Sequence, residues 1–449
     1  MALDPKVFKA YDVRGLYPSE LDEQGARAIG RAYVEHFEPQ EIAVGRDMRL
    51  SSPTMHEAFV HGASEAGADV VDIGMVGTEM LYHAVGELGL DGGATITASH
   101  NPKDYTGAKI VRRGALPVGG DSGLLEIRDR ALSARGTSGG QTPGRVQERD
   151  VYPGFVDKVM SFIDPAAVKP LHVVIDGANG MAGSMLPPIL ERLPVDAMRH
   201  FFEPDGSFPD HQPNPLLEEN RRFIVSEVTK ERADLGIAFD GDADRCFFVD
   251  DTGEFVPGDF VTALLAESML EKEPGGTIIY DVRASWAVRD TVERLGGKAL
   301  PNRVGHAFIK QRMREIDAVF AGEVSGHYYF RDFYQADSGT IPALLILELI
   351  SKADTKLSEL LRPFRERYFL TGEINTVVDD VALALQKVKE HFADQGEISH
   401  LDGISVTASD WHMNVRPSNT EPLLRLNLEA HDPELMERKR DEALAVIAG

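Results

Sequence analysis

The chain repeats itself loosely, three times. In each repeat a short apolar run ends in a polar loop and leads into a helical pattern: Ile42-Ala-Val-Gly-Arg-Asp47, His172-Val-Val-Ile-Asp-Gly-Ala-Asn179 and Thr277-Ile-Ile-Tyr-Asp-Val-Arg283. Each repeat holds a second apolar run that ends in a richer polar loop: Gly93-Ala-Thr-Ile-Thr-Ala-Ser-His-Asn-Pro102, Leu235-Gly-Ile-Ala-Phe-Asp-Gly-Asp-Ala-Asp-Arg245 and Ala318-Val-Phe-Ala-Gly-Glu-Val-Ser-Gly-His327. Helical patterns such as 54–66 and 286–295 lie between the two. Strands alternating with helices predict α/β units around a largely parallel sheet. Ligands in such sheets collect beyond the carboxyl ends of the strands. Any α/β protein has polar loops there. These three differ in chemistry and complement one another, so they are expected to converge on one central cleft.

At 449 residues the chain exceeds a single hydrophobic core. Its C-terminal part reads differently from the repeats: a strand from Gly372, a helix over 381–392, and strands over 404–407 and 423–428 suggest a small α+β unit. The Gly/Ser/Thr/Pro-rich stretch 136–144, Asp250-Asp251 and the neighbourhood of Thr371 mark boundaries. The domains expected are 1–145, 146–250, 251–368 and 369–449. The fold class expected is α/β: three similar α/β domains with mixed, largely parallel sheets, plus a C-terminal α+β domain, around a central cleft.

The formal net charge of −25 argues against a nucleic-acid partner, because a phosphate backbone needs a basic face. An anionic substrate must then be drawn in by a local cluster of basic side chains. The lone cysteine, Cys246, permits no internal disulfide and fits a buried strand position. The N-terminus has no signal-peptide pattern, and the apolar run 341–350 is short and broken by Pro342 and Glu348. A cytoplasmic protein without a membrane span is expected, as a monomer or a homodimer. Histidines such as His56, His61 and His211 fit surface or packing places.

Four loops carry chemistry. In Asp240-Gly-Asp-Ala-Asp-Arg245 three carboxylates stand at i, i+2 and i+4. In an extended loop they point the same way, and a hard divalent cation such as Mg2+ would relieve their repulsion. An EF-hand is excluded, because its glycine and glutamate positions hold Arg245 and Asp251. A solvated acidic loop is the other reading, and Arg245 beside the carboxylates favours a held phosphate. In Thr97-Ala-Ser-His-Asn-Pro102, Ser99 is a candidate nucleophile, although Asn-Pro is equally a turn signal. On an extended segment His100 points away from Ser99, and Lys109 is either a proton-transfer or phosphate-contact group or a surface lysine. In Gly322-Glu-Val-Ser-Gly-His327 alternation places Glu323, Ser325 and His327 on one face, a set suited to a polyol or simply a polar strand end. In Arg416-Pro-Ser-Asn-Thr-Glu-Pro422, with Arg425 beyond, Arg416, Ser418, Asn419 and Thr420 suit an anion cradle or an ordinary turn. Neither a Gly-x-Ser-x-Gly elbow nor a Walker loop is present, which disfavours an acyl hydrolase and an ATP-dependent kinase.

Taken in order, these four loops resemble those of the α-D-phosphohexomutase family, and within it the phosphomannomutase/phosphoglucomutase group. The resemblance spans essentially the whole chain. Tyr11-Asp-Val-Arg-Gly15 resembles the family's N-terminal motif, and Gly305-His306 its sugar-ring contact. Arg283 stands where some members have lysine, which keeps the charge but not the geometry. Val324 in the specificity loop resembles a mannose/glucose mutase, since glucosamine-phosphate members tend to have glutamine there.

The resemblance implies an isomerase, an intramolecular phosphotransferase that interconverts hexose 1- and 6-phosphates of mannose and also glucose. It implies a phosphoserine at Ser99, a hexose 1,6-bisphosphate intermediate and activator, and Mg2+ held by Asp240, Asp242, Asp244 and Ser99. His100, Lys109 and Arg245 take part in catalysis, with the choice between His100 and Lys109 for proton transfer open. Tyr11, Arg14, Arg283, His306, Glu323, Ser325, His327, Arg416, Ser418, Asn419, Thr420 and Arg425 bind the phosphohexose, and Arg14, Lys109 and Arg245 supply a local positive field. Phosphoglucosamine mutase is the nearest alternative, followed by a Mg2+-dependent sugar phosphatase and a silent sugar-phosphate-binding protein.

Overall fold

The computed structural model describes residues 3–133, 142–418 and 423–449. The chain divides into two compact units, one formed by the residues up to Val256 with Ser325–Leu357, the other by Pro257–Val324 with Ser358–Gly449.

The first unit is built on two mixed sheets. In one the strands run in the order Val13–Leu16, Tyr105–Arg112, Gly92–Ile96, Glu41–Arg46, Asp69–Met75, Val146–Glu148, with Leu116–Pro117 also on Tyr105–Arg112. Glu41–Arg46 lies parallel to both its neighbours, and Tyr105–Arg112 is antiparallel to all three of its own. Gly92–Ile96 is buried throughout. That is why it reads as an unbroken apolar run and not as an alternating one. Helix Glu23–Phe37, capped by Asp22 whose carboxylate accepts from Gly25 N at 3.0 Å, packs on helix Ser52–Glu65. The crossing is close enough that a Cβ on Gly30 would lie 2.3 Å from Phe59 O, so only glycine fits.

The second sheet has the order Cys246–Asp250, Leu235–Phe239, His172–Asp176, Asp196–His200, antiparallel in its first pair and parallel in the others. Cys246 is buried on its strand, as expected. The apolar run 341–350 forms the buried helix Thr340–Ala353, whose Glu348 accepts from Asp164 N at 2.8 Å. No helix among the described residues is long and apolar enough to cross a membrane.

In the second unit Lys298–Asn302, Thr277–Asp281 and Phe320–Gly322 form parallel neighbours. The C-terminal part is an antiparallel sheet in the order Phe369–Val377, Leu423–Ala430, Trp411–Pro417, Ile404–Thr407, Glu397–Ser399, with helices Val381–His391 and Pro433–Ala448. Trp411, Met413, Val415, Leu424, Leu426 and Leu428 alternate into its core against Val388 and Phe392. This is the α+β unit predicted from the sequence.

One buried acid ties distant parts of the first unit together. Glu79, at the start of helix Thr78–Glu87, accepts from the Ser338 hydroxyl and from Thr340 Oγ1 at 2.5 Å and Thr340 N at 3.3 Å. Burial pushes its carboxyl up to about 8, against the pull of those hydrogen bonds, so the proton is held more tightly in the folded chain than in the unfolded one. A raised carboxyl favours folding fully below the unfolded value of 4.5, and that contribution fades as pH climbs toward 8. Glu79→Gln keeps the shape and loses the titration. Its stability relative to the unsubstituted protein is expected to rise by a few kcal/mol between about pH 5 and about pH 9, read by urea unfolding at a series of pH values.

Candidate active site

Ser99 lies just beyond strand Gly92–Ile96 and is nearly buried. Its backbone is left-handed, with φ 45°. The segment is therefore not extended, which corrects the expectation that His100 points away: Ser99 Oγ lies 3.2 Å from His100 Nδ1. The same hydroxyl donates to Asp240 Oδ2 at 2.8 Å and accepts from Arg245 Nη2 at 3.1 Å. Arg245 Nη2 also contacts His100 Nδ1, and its Nε donates to Asp240 Oδ2 at 3.1 Å.

Asp240 to Arg245 close the hairpin between Leu235–Phe239 and Cys246–Asp250. The loop is a turn with Ala243 at φ 59°, not an extended segment. The carboxylates still converge, because the turn folds them inward. Asp240, Asp242 and Asp244 are all buried and each offers an oxygen within 4.8 Å of the others. Gly241 is required by a close approach: a Cβ there would stand 2.6 Å from Ser99 O.

Lys109 is not a surface lysine. It faces Thr95 across the sheet, and its buried Nζ donates to Asp242 Oδ2 at 2.7 Å and to Asp244 Oδ2. Two hydroxyls that the sequence reading missed also serve Asp242 Oδ2, Thr78 Oγ1 at 2.5 Å and Thr97 Oγ1 at 3.4 Å. Arg14, placed opposite Gly107, donates to Thr97 O and pairs with Asp12 at 2.9 Å.

The electrostatics follow from this packing. Burial, then Asp242 and Asp244, push the Asp240 carboxyl well up. Burial and the charge of Asp242 lift Asp244 to about 7. Burial would lift Asp242 too, but the Lys109 ammonium and the hydrogen bonds from Lys109 and Thr78 hold it below the usual carboxylate range. Burial disfavours the Lys109 cation, and Asp242 and Asp244 overrule it, so the ammonium stays charged. The basic side chains expected to supply a local positive field stand in ion pairs: Lys109 with Asp242 and Asp244, Arg245 with Asp240, and Arg14 with Asp12. Asp242 Oδ1 and Asp244 Oδ1 are buried without a hydrogen-bond partner among the described residues. Three converging carboxylates with such orphaned oxygens fit a hard divalent cation.

His327 joins this group: its Nε2 lies 3.9 Å from Asp244 Oδ1, and its Nδ1 is 3.0 Å from Ser325 Oγ. Residues 323–327 form a turn with Gly326 at φ 84°, so the shared strand face expected for Glu323, Ser325 and His327 is replaced by a bend. His211, expected as a surface or packing residue, is a brace. Its Nε2 lies 3.0 Å from Asp176 Oδ2, and neighbouring Gln212 donates to His100 O at 3.2 Å. Tyr11 is half-buried just before strand Val13–Leu16.

In the second unit, Glu323 Oε1 accepts from Gly305 N at 2.9 Å, directly before His306, which opens helix His306–Ile316. Arg283 is committed locally. Its Nε and Nη2 each donate to Asp281 at 2.9 Å, while Asp281 Oδ2 also accepts from Val324 N at 2.9 Å. Arg283 thereby fixes the aspartate that holds the backbone at Val324. Its Nη1 reaches Glu373 at 3.3 Å. Arg425 and Arg416 share that carboxylate, at 2.9 Å and 3.6 Å. Arg416 Nε and Arg425 Nε are buried without a partner among the described residues, a surplus of donors suited to an anion. Ser418 N donates to Leu423 O at 3.0 Å. Asn419 and Thr420, with Glu421 and Pro422, lie outside the described residues.

Four family descriptions match the chain in sequence: phosphoglucomutase/phosphomannomutase alpha/beta/alpha domain I over residues 5–135, domain II over 153–253, domain III over 257–368 and the C-terminal domain over 373–446. A phosphomannomutase of Escherichia coli (strain K12) is 44% identical over 448 residues, which cover 98% of this chain and 98% of that protein. A protein of Xanthomonas campestris pv. campestris (strain B100) named phosphohexose mutases is 43% identical over 444 residues, 98% of this chain and 99% of its own. The crystal structure of a phosphoglucomutase/phosphomannomutase family protein from Burkholderia thailandensis superposes with a TM-score of 0.90 at 32% identity, covering 99% of this chain and 98% of that one. On these matches the chain belongs to the phosphoglucomutase/phosphomannomutase family and is a phosphohexomutase, an isomerase.

Proposed function

We propose that this protein interconverts the 1- and 6-phosphates of mannose, and also of glucose, through a phosphoserine at Ser99 and a hexose 1,6-bisphosphate. The observation that carries this is the surroundings of Ser99 Oγ: Asp240 at 2.8 Å, Arg245 at 3.1 Å and His100 at 3.2 Å. A hydroxyl so placed has a cation beside it for the phosphate and acceptors for its proton.

Asp240, Asp242 and Asp244, with an oxygen of Ser99 or its phosphate, would hold Mg2+, which supplies charge neutralisation at phosphoryl oxygens. Arg245 adds hydrogen bonds to the phosphate on Ser99. Lys109, held as an ammonium between two carboxylates, serves as a fixed positive charge. That leaves His100 Nδ1 to take the Ser99 proton when a phosphate returns to Oγ, since Asp240 belongs to the metal-binding set. When Ser99 gives up its phosphate, the O–P bond at Oγ breaks, phosphorus bonds to the oxygen of the free 1- or 6-hydroxyl, and the hydroxyl proton passes by way of His100 to Oγ, making the bisphosphate. The sugar O–P bond of the other phosphate then breaks as its phosphorus bonds to Ser99 Oγ, the Oγ proton passes by way of His100 to the sugar oxygen, and the isomer is released. Glu323, Ser325 and His327, with Tyr11, Arg14, Arg283 and His306, hold the sugar. Arg416, Ser418, Asn419, Thr420 and Arg425 hold the phosphate that stays. The domain boundaries 1–145, 146–250, 251–368 and 369–449 and a cytoplasmic location accompany this proposal.

The experiment supplies the purified protein with Mg2+, a trace of glucose 1,6-bisphosphate and, separately, the 1-phosphates of mannose, glucose and glucosamine. Conversion of the first two is expected. Conversion of glucosamine phosphate alone, free phosphate release without isomer, or tight binding without turnover would each overturn the proposal. Arg416→Ala is expected to raise KM for the hexose phosphates by about tenfold or more with a smaller change in kcat, as for loss of a binding contact equal in ground and transition states. Steady-state kinetics at saturating Mg2+ checks this, and an unchanged KM would remove Arg416 from the phosphate cradle.

A further inference from the structure

Arg49 is 1% exposed, among the largest completely buried side chains of the described residues. Its guanidinium fork is spent on the backbone around Ser99. Nη2 donates to Ser99 O and to Asn101 O, each at 2.7 Å, and Nη1 to Pro102 O at 2.8 Å and Tyr105 O at 3.3 Å. With Gln212 on His100 O, four consecutive carbonyls, 99 to 102, accept from side chains. The fork is itself held. Asp47 Oδ2 faces Arg49 Nε at 3.3 Å, while Asp47 Oδ1 accepts from Arg49 N at 3.0 Å and Ser52 Oγ at 2.5 Å. The Phe208 ring covers the guanidinium, its centroid 5.0 Å away.

Carbonyl oxygens carry partial negative charge and would repel a phosphate. Arg49 gathers those of Ser99, Asn101, Pro102 and Tyr105 against its own guanidinium. It also stabilises the left-handed backbone of Ser99, which a residue with a Cβ adopts only when its surroundings hold it there. We infer that Arg49 is a positioning residue for phosphoryl transfer: its planar fork fixes the segment 99–105 so that Ser99 Oγ faces Asp240 and Arg245. Only the transfer step rests on the phosphoserine mechanism proposed above; the fixing of the segment does not. A planar fork with N–H groups in fixed directions meets four carbonyls at once, whereas a lysine ammonium has three donors around a point. Lysine therefore does not substitute.

The test uses the full-length protein as Arg49→Lys and Arg49→Ala. Hydrogen exchange of amides 98–106, melting temperature, kcat, KM and the mass increment of Ser99 phosphorylation by glucose 1,6-bisphosphate are read. Arg49→Lys is expected to melt near the unsubstituted protein and to exchange faster in 98–106 alone. Its kcat should fall about 100-fold with KM within about threefold, as for a small misplacement of a reacting group. Low concentrations of guanidinium, at matched ionic strength, are expected to restore about tenfold of the kcat lost in Arg49→Ala. A folded Arg49→Lys with unchanged exchange and kcat overturns the inference. So does a loss that follows global destabilisation and resists guanidinium. Should either variant fail to fold, Phe208→Leu loosens the fork without removing its donors. The same local exchange and kcat pattern, smaller in size, is then expected, and its absence overturns the inference. If the unsubstituted protein converted no hexose phosphate, the proposed function would fall, while local exchange would still decide whether Arg49 fixes the segment.

Discussion

Ser99→Ala is expected to lose steady mutase turnover by at least about four orders of magnitude, with hexose-phosphate binding retained. The size follows from the role proposed for Oγ. It is the atom to which the migrating phosphate is bonded, so no remaining group can receive the phosphate. Alanine removes a single oxygen from a nearly buried site and leaves Asp240, Arg245 and His100 in place. The fold should therefore survive, although Asp240 and Arg245 lose one hydrogen-bond partner each. Kinetics, isothermal titration with mannose 1-phosphate, and the absence of phosphorylation by bisphosphate together check this. Turnover near the unsubstituted rate would sink the phosphoserine mechanism. Loss of binding and of turnover together would point to a collapsed site instead.

The second large effect belongs to Asp242→Asn. Asp242 is the hub of the carboxylate set, with Lys109, Thr78 and Thr97 all directed at its Oδ2. Asparagine keeps the shape and removes the charge. Its amide oxygen can keep the three donors, which places the NH2, a group that cannot ligate a cation, where the unpartnered Asp242 Oδ1 stood. Metal affinity is expected to fall by more than about 100-fold, beyond the loss typical when an outer partner of a metal ligand is changed. Turnover at fixed low Mg2+ should fall with it and recover partly as Mg2+ is raised. Direct titration with Mn2+ or Mg2+, apart from any assay, separates weakened metal binding from damage to the catalytic step. Undiminished affinity in the folded variant would remove Asp242 from the metal-binding set.

Much of this site is legible in the sequence, for reasons that can be named. Three carboxylates at alternate positions after an apolar run are costly unless something compensates them, so Asp240, Asp242 and Asp244 stand out from residue types alone. A serine between a buried strand and an Asn-Pro turn is visible in the same way, as is the arginine-led loop at Arg416. What could not be read is conformation. Alternation predicts shared faces only for extended backbone, and Ser99 and Ala243 have positive φ while 323–327 bends. His100 thus turns toward the Ser99 hydroxyl, and the three aspartates converge by a turn.

Arg49 and Lys109 mark the same limit. As single basic residues in a chain of net charge −25 they have no pattern of their own. Arg49 does carry one local signal, an aspartate two residues before it at Asp47, but that spacing is too common to single it out. By itself, the sequence determined the α/β repeat, the α+β C-terminal part, the residue types gathered in the four loops and the family, because these rest on hydrophobic periodicity and on residue types close together in the chain. Only the tertiary structure decided that Lys109 is a buried ammonium between two carboxylates, that Arg283 is taken up by Asp281, and that Arg49 grips the backbone behind Ser99. Each of those depends on which donor meets which acceptor across elements far apart in sequence, and burial, which sets the cost of leaving either one unpaired, exists only once the chain has folded.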